Sequence, residues 1–180
     1  MFRNVAARRK LAIISIVLLL LAAVTVVLIP KRARADEGAP FKGIFTVAFS
    51  VMPNTAGDSF CGSAPTGVTV EAHGNGHSSL GDFSFSLQKT IVGPTGHGCL
   101  TLTAPNGDTL TAIYDLTAGP TNANLFRDAT GTLTFTGGTG RFAGTSGNAG
   151  VTAVFSRIGG TAAPMQGIAF YSVDGAVSAQ

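Results

Sequence analysis

The sequence between residues 41 and 177 is dominated by short runs in which apolar and polar residues alternate. In one such run, Phe83, Phe85 and Leu87 are separated by single serines. Successive side chains of a β-strand point to opposite faces, so this period of two predicts strands with one buried and one solvated face. Gly, Pro, Asn and Asp separate the runs, as expected for turns. The predicted strands span residues 41–50, 68–72, 80–88, 98–104, 109–116, 129–136, 148–157 and 166–177.

Eight short antiparallel strands with one apolar face fit an up-and-down β-barrel, which also leaves no strand edge exposed. A sandwich of two sheets is the alternative that the pattern leaves open. No apolar period of 3.6 residues indicates a helix in this part of the chain, and its length suits one domain. We therefore expect an all-β domain over residues 36–180, with a hairpin turn at residues 105–108.

Residues 1–35 differ in composition from the rest of the chain. An uninterrupted apolar run covers residues 11–29, and Ala33-Arg34-Ala35 follows with the small-x-small pattern that signal peptidases recognise. The residues that precede the run are basic, as in export signals: Arg3, Arg8, Arg9 and Lys10. The run is also long enough to span a bilayer as a helix. The segment therefore predicts an N-terminal hydrophobic export helix, either a cleaved signal peptide of a secreted or periplasmic protein or a retained membrane anchor.

The formal net charge of +3 does not describe the predicted barrel domain. Seven of the twelve basic residues precede Asp36, whereas all nine acidic residues lie at or after it. Residues 36–180 thus hold five basic and nine acidic residues, a net charge of −4. A domain without a basic stripe cannot neutralise many phosphates, so nucleic-acid binding is disfavoured.

The two cysteines, Cys61 and Cys99, both lie in the part of the chain predicted to be exported. In an oxidising compartment two thiols allow one pairing, which predicts a Cys61–Cys99 disulfide. Two unpaired thiols are the alternative, and neither cysteine has an evident activating environment that would favour catalysis.

Glu71, His73 and His77 lie close enough in sequence to raise the question of a metal site. The residues between the two histidines, 74–76, are Gly-Asn-Gly, which predicts a flexible turn rather than a rigid element that presents two imidazoles together. We therefore predict ordinary loop histidines with no metal site, and no motif in the chain predicts a cofactor.

The segment from residue 137 to 147 contains five glycines around one aromatic residue. A nucleotide-binding loop needs a following helix or a Gly-Lys-Ser/Thr end, and this segment has neither. The glycines instead predict a tightly folded structural loop between the sixth and seventh strands, anchored by its aromatic side chain. The loop residues are Gly137, Gly138, Gly140, Phe142, Gly144 and Gly147.

Three segments resemble one known superfamily. Residues 136–142, Thr-Gly-Gly-Thr-Gly-Arg-Phe, are similar to the Gly-Gly-Thr/Ser-Gly-x-Phe segment of the allene oxide cyclase and dirigent β-barrels. Residues 106–110 resemble the strand entry of dirigent proteins, and residues 164–175 resemble the closing strand of allene oxide cyclases. The chain also resembles exported bacterial domains that carry the same barrel signature. The resemblance implies an eight-stranded barrel that binds a hydrophobic small molecule, often within a trimer.

The catalytic residues of these families do not carry over. Where dirigent proteins have an Asp-Asp-Pro-x-Thr segment, residues 51–55 are Val-Met-Pro-Asn-Thr. Tyr114 and Asp115 stand where those proteins have an arginine. An enzyme of this type would be an isomerase or cyclase acting on a lipid-derived substrate. We predict instead a noncatalytic exported barrel that binds a hydrophobic molecule, with a structural domain at the cell envelope as a further alternative.

Candidate ligand-binding residues are of two kinds. Polar groups near strand ends can meet a ligand at a barrel mouth, while aromatic side chains either line a pocket or fill the lumen. Arg127 and Asp128 are interpreted as solvated loop charges. The candidates for binding are Tyr114, Asp115, Arg141, Phe45, Phe85 and Phe135.

Overall fold

A computed structural model of the protein describes residues 38–158 and 164–178. The apolar run at residues 11–29, and with it the expected export helix, lies outside the described residues. Within the described part of the chain, no helix has the length and hydropathy needed to cross a membrane.

The described residues form a closed barrel of eight antiparallel strands, in which each strand pairs with its sequence neighbours and the last pairs with the first. This confirms the predicted barrel and excludes the two-sheet sandwich. The strands are β1 (Ala39–Pro53), β2 (Val68–Ser78), β3 (Gly81–Val92), β4 (Thr95–Thr103), β5 (Thr109–Thr121), β6 (Phe126–Gly138), β7 (Ser146–Ile158) and β8 (Met165–Ser178).

All eight predicted strands exist, and most are longer than the alternation indicated. The clearest difference lies in β2, where residues 74–76 were expected to form a turn and instead continue the strand. Gly74 pairs with Val47 of β1 on one side and with Phe85 of β3 on the other. Hydrogen-bonded neighbours on both sides outweigh the weak strand propensity of glycine, so the flexible turn is wrong.

Alternation places one face of every strand inside the barrel, where the side chains form a single core. On β3, for example, Phe83, Phe85 and Leu87 are buried, as the period of two predicts. Aromatic rings meet across the interior, including Phe45 with Phe85, whose centroids are 5.6 Å apart. Most of the lumen is therefore filled by side chains.

The two ends of the barrel differ. We call the end with the loops after β1, β3, β5 and β7 the cavity end, and the end with the loops after β2, β4 and β6 the glycine-loop end. At the glycine-loop end, a 3₁₀ turn at Gly140–Phe142 places the Phe142 ring 5.7 Å from that of Phe83. Gly140 has a φ of 56°, and a Cβ there would collide with the Asp108 carboxylate. The loop thus needs glycine at this position both for its backbone and for its closest contact.

The Cys61–Cys99 disulfide is present, with the two Cα atoms 5.5 Å apart. Its prediction is confirmed. Cys99 lies on the outer face of β4, between the inward-facing Gly98 and Leu100. The bond therefore fastens the loop at residues 54–67, which connects β1 to β2 at the cavity end, to the outside of the barrel. The two cysteines are 38 residues apart in sequence, and closing a loop of that length contributes on the order of 4 kcal/mol in the chain-entropy description.

Candidate functional site

A cavity of about 250 Å³ lies at the cavity end of the barrel. Its wall is built from the last inward-facing residues of the strands and from the loops that connect them. Most lining side chains are apolar, and no Asp, Glu, His or Tyr is among the lining residues that the structure describes. The apolar side chains with the largest surfaces are Phe49, Val51, Val68, Val70, Ile91, Leu116, Leu125, Phe155 and Met165.

Three cationic side chains also line this cavity: Lys89, Arg127 and Arg157. Each continues the inward-facing series of its own strand. Lys89 follows Leu87 by two residues on β3, and Arg157 follows Phe155 by two residues on β7. Three of the five basic residues after position 36 therefore meet at one end of the barrel. The structure gives this small cavity a positive charge that the overall charge of the domain conceals.

Lys89 is the most deeply placed of the three, with 2% of its surface exposed. Its Nζ lies 4.7 Å from the ring centroid of Tyr114 and 5.3 Å from that of Phe155. Among the described residues, no carboxylate forms an ion pair with it. Removal from water without a negative partner disfavours the ammonium, so burial lowers the pKa of Lys89 to about 7.

Two glycines on β4 leave the space that the lysine side chain occupies. Gly98 pairs directly with Lys89, and a Cβ there would collide with the backbone of β3. A Cβ at Gly96 would stand 3.3 Å from Cδ and 3.6 Å from Cε of Lys89. Both glycines occupy inward-facing positions that larger residues fill elsewhere in the barrel. Their missing side chains accommodate the lysine stem.

Two buried tyrosines lie beneath the cavity. The Nζ of Lys89 lies over the face of the Tyr114 ring, and the buried hydroxyl of Tyr114 has no hydrogen-bond partner among the residues that the structure describes. Tyr171 packs edge-on to Tyr114 at 6.2 Å between centroids and stacks on Phe85. Burial raises the pKa of Tyr114 well above its usual value and that of Tyr171 to about 12. Both phenols are therefore neutral at pH 7.

Arg127 is held at the edge of the cavity by an irregularity in β5. The pairing of β5 with β6 shifts register between Ala118 and Thr121, where Gly119 and Pro120 form a bulge. The bulge exposes the carbonyl of Gly119, which accepts a hydrogen bond of 2.6 Å from Nε of Arg127. Bulges commonly redirect side chains at barrel rims. Here the bulge fixes a guanidinium against the cavity, whereas the sequence alone had suggested a solvated loop charge.

The six predicted ligand residues do not form one site. Phe45, Phe85 and Phe135 are buried core residues and do not line the cavity. Of the polar candidates, Tyr114 alone lies near it, through its contact with Lys89. Arg141 lies at the opposite end, where its guanidinium stacks on Phe142 at 4.6 Å.

Asp115 follows the inward-facing Tyr114 directly and so points to the outside of the barrel. Its carboxylate is 2.5 Å from Nδ1 of His97, while Nε2 of His97 is 2.9 Å from the carbonyl oxygen of Cys61. The hydrogen bond to Asp115 is the main reason that the pKa of His97 is raised, with the bond to Cys61 adding to it. This pair fastens the disulfide loop to the barrel wall and has no contact with the cavity.

The outer face also holds the residues considered for a metal site. The carboxylate of Glu71 accepts a hydrogen bond of 3.4 Å from Gln88, and Nδ1 of His77 is 2.7 Å from the Asp82 carboxylate. His73 is exposed. Within the ranges that the structure describes, no cluster of three His, Cys, Asp or Glu residues could hold a metal ion.

Among solved structures, the chain is similar to the pterocarpan synthase dirigent protein GePTS1. It is 14% identical to this chain with a TM-score of 0.42, and the match covers 79% of this chain and 87% of that one. This similarity is too low to assign the chain to a family. No protein-family model matches the sequence, and no curated protein matches it.

Proposed function

We propose that this protein is an exported barrel that binds one small hydrophobic molecule at the cavity end, with the oxygen-bearing end of the ligand directed at Lys89. The observation that carries this proposal is the apolar cavity of about 250 Å³ with three cations and no carboxylate among its described lining residues. Ligand pockets are typically apolar cavities with a few polar groups that set orientation. The volume lies below the usual range of roughly 300–1,000 Å³, which favours a single short chain or ring.

Export is the second part of the proposal and is supported by two features. The first is the basic and apolar leader at residues 1–35. The second is the disulfide, a bond that persists mainly in oxidising compartments. The intact mass of the protein from its own cells tests this part. A mature N-terminus at Asp36 supports cleavage and release, whereas reduced cysteines in a cytoplasmic fraction contradict export.

The cavity supports binding more directly than isomerase or cyclase chemistry. A reaction of that kind needs a positioned acid or base at the reacting carbon. The described lining residues supply no carboxylate, imidazole or phenol, and a guanidinium stays protonated in proteins. Lys89, with its pKa lowered to about 7, is therefore the one acid–base group among the described lining residues, whereas such chemistry normally uses two groups with different pKa values. Tyr114 and Tyr171 are neutral and lie below Lys89 rather than in the cavity wall.

A fluorescent probe with an apolar body and an anionic head, 1-anilinonaphthalene-8-sulfonate, tests the binding site. We expect saturable enhancement of its fluorescence with one site per chain. Ala118→Phe adds a ring within the lining and should abolish this binding. Thr117→Phe adds the same ring to the exposed outer face of β5 and serves as the matched control.

Two results would overturn the binding proposal. The first is the absence of saturable uptake by the wild-type protein. The second is equal uptake by Ala118→Phe and Thr117→Phe, because a ring placed in the cavity would then have no effect on the site. Circular dichroism of both variants establishes that the barrel is still folded when uptake is measured.

A further inference from the structure

We infer that Lys89 forms a reversible Schiff base with the carbonyl group of an apolar aldehyde held in the cavity. This rests on the proposed function, because the aldehyde must first bind there. The structure places the primary amine of Lys89 against the apolar cavity. The other lysine among the described residues, Lys42, is exposed on the outer face, where its Nζ lies 3.1 Å from the Asp174 carboxylate. Lysines in desolvated apolar pockets are the ones that act as amine nucleophiles.

The position of Lys89 on β3 determines what its amine can reach. The stem passes over Gly96 and Gly98, and the Nζ lies against the rings of Tyr114 and Phe155. With no carboxylate ion pair among the described residues, the amine is not tied to a counter-ion. A carbonyl carbon in the cavity can therefore approach the nitrogen without displacing a salt bridge.

The protonation state of the amine supports this chemistry. Since burial brings the pKa of Lys89 to about 7, roughly half of the molecules carry the neutral, nucleophilic amine at pH 7. An exposed lysine is neutral in only about one molecule in 3,000 at that pH. The titratable groups that face this region from neighbouring strands are Tyr114, Tyr171, Arg127 and Arg157. The tyrosines are neutral and the arginines positive at pH 7, so none of them holds the proton on the lysine.

The reaction balances without another reagent. The lone pair of Nζ attacks the carbonyl carbon, the carbonyl π electrons move to oxygen, and one proton passes from the nitrogen to that oxygen to give a neutral carbinolamine. The hydroxyl group and the remaining N–H proton then leave as water while the carbon–nitrogen double bond forms. Overall, amine and aldehyde give imine and water, with no oxidation or reduction.

The surroundings favour the product once it forms. The neutral imine carries no charge at this nitrogen, so the desolvation that disfavours the ammonium of Lys89 does not oppose the product. The apolar cavity wall limits the water that would hydrolyse the bond. The site is thus suited to hold a reactive aldehyde covalently and to release it unchanged when the equilibrium reverses.

Reductive trapping tests the inference with the purified full-length protein. The protein is treated with octanal and cyanoborohydride at pH 7, and peptide mass spectrometry locates the octylated lysines. We expect labelling of Lys89 to exceed that of Lys42 at least about tenfold, because the cavity holds the aldehyde against the Lys89 amine, which is about half neutral at pH 7. The yield at Lys89 should approach its maximum as the pH rises through about 7.

Variants separate specific from random labelling. Lys89→Arg removes the nucleophile and should abolish the preferred label, while Lys42→Arg should leave it unchanged. Ala118→Phe keeps Lys89 but blocks the cavity, so its label should also fall. This variant retains the test if Lys89→Arg does not fold. Labelling of Lys89 that is unaffected by Ala118→Phe, or that merely equals labelling of Lys42, would overturn the inference.

A competition experiment distinguishes failure of the Schiff base from failure of ligand binding. Octanol and octanal have the same chain, but only octanal can form an imine. If both displace the fluorescent probe and octanal leaves Lys89 unmodified, binding stands and the Schiff base is wrong. If the wild-type protein shows no saturable uptake of the probe and Lys89 is unmodified, both proposals fail.

Discussion

The two ends of the barrel use the same strands and the same alternation for opposite purposes. At the glycine-loop end the inward positions hold aromatic residues, and Phe41 and Phe135 meet edge to face at 5.0 Å. At the cavity end the inward-facing residues of the strands include Lys89, Arg127 and Arg157, and these side chains line the cavity. The alternation of inward and outward residues therefore does not by itself determine whether the lumen is filled by side chains. The inward residues near the ends of the strands decide it.

This contrast has an energetic side. Aromatic packing at the glycine-loop end stabilises the fold, whereas a buried amine without a carboxylate partner costs free energy. Proteins tolerate such a cost chiefly where the group serves a function. The two ends should therefore respond differently to substitution and to pH.

The largest expected effect is the pH dependence that Lys89 imposes on stability. The unfolded chain keeps the lysine proton up to about pH 10.5, whereas the folded protein releases it above about pH 7. The unfolded state thus binds more protons in this window, and the free energy of unfolding should rise with pH. The rise amounts to several kcal/mol at about 1.4 kcal/mol per pKa unit.

Urea denaturation at intervals between about pH 6 and 9.5 measures this slope. In Lys89→Met the slope should disappear, and the variant should be more stable than the wild type at the acidic end. Lys42→Met, which changes an exposed lysine of the outer face, should keep the wild-type slope. Parallel curves for the wild type and Lys89→Met would mean that the lysine is not desolvated.

The second prediction concerns the filled end. Phe142→Ala removes a ring that is 5% exposed and packs on Phe83, so it should lower the free energy of unfolding by about 3–5 kcal/mol. Met165→Ala, which trims a half-buried residue that already faces the cavity, should cost less than about 2 kcal/mol. Chemical denaturation of both proteins gives the comparison, and equal losses would remove the contrast between the two ends.

The disulfide gives a somewhat smaller effect at the cavity end. Replacing both cysteines, Cys61→Ser with Cys99→Ser, frees the loop at residues 54–67 in the unfolded and folded states. The expected loss is about 2–4 kcal/mol, measured by thermal and urea unfolding. The barrel itself should persist, since the bond lies outside the core. Loss of the far-ultraviolet strand spectrum in the double variant would show that the loop is needed for barrel closure.

The smallest effect comes from His97 on the outer wall. Because the hydrogen bond to Asp115 raises the pKa of His97, its stabilisation is present below about pH 6.5 and is lost as the pH rises through the folded pKa. The pair is partly exposed, so the contribution is less than about 1 kcal/mol. His97→Gln should therefore destabilise the protein more at pH 5.5 than at pH 8.5, as measured by urea unfolding at the two pH values. Equal losses at the two pH values would contradict a raised pKa of His97.

The alternation of apolar and polar residues was enough to predict all eight strands and the barrel, and the glycine content predicted a tight loop before β7. The hairpin turn at residues 105–108 was predictable because it depends on local turn chemistry. The disulfide was predictable because two cysteines allow only one pairing. The cavity was not predicted. Lys89 occupies an inward position two residues after Leu87, but the predicted third strand ended at residue 88, one residue before it.

What the sequence determined by itself is which side of each strand faces inward, because that depends only on a period of two. Which of the inward-facing residues lie close together depends on the tertiary structure. Lys89, Arg127 and Arg157 lie on β3, β6 and β7, and closure of the barrel brings them to one end, while the same closure sends Arg141 to the other. The physical reason is that strand pairing and register are set by contacts across the whole barrel, and no local pattern contains them.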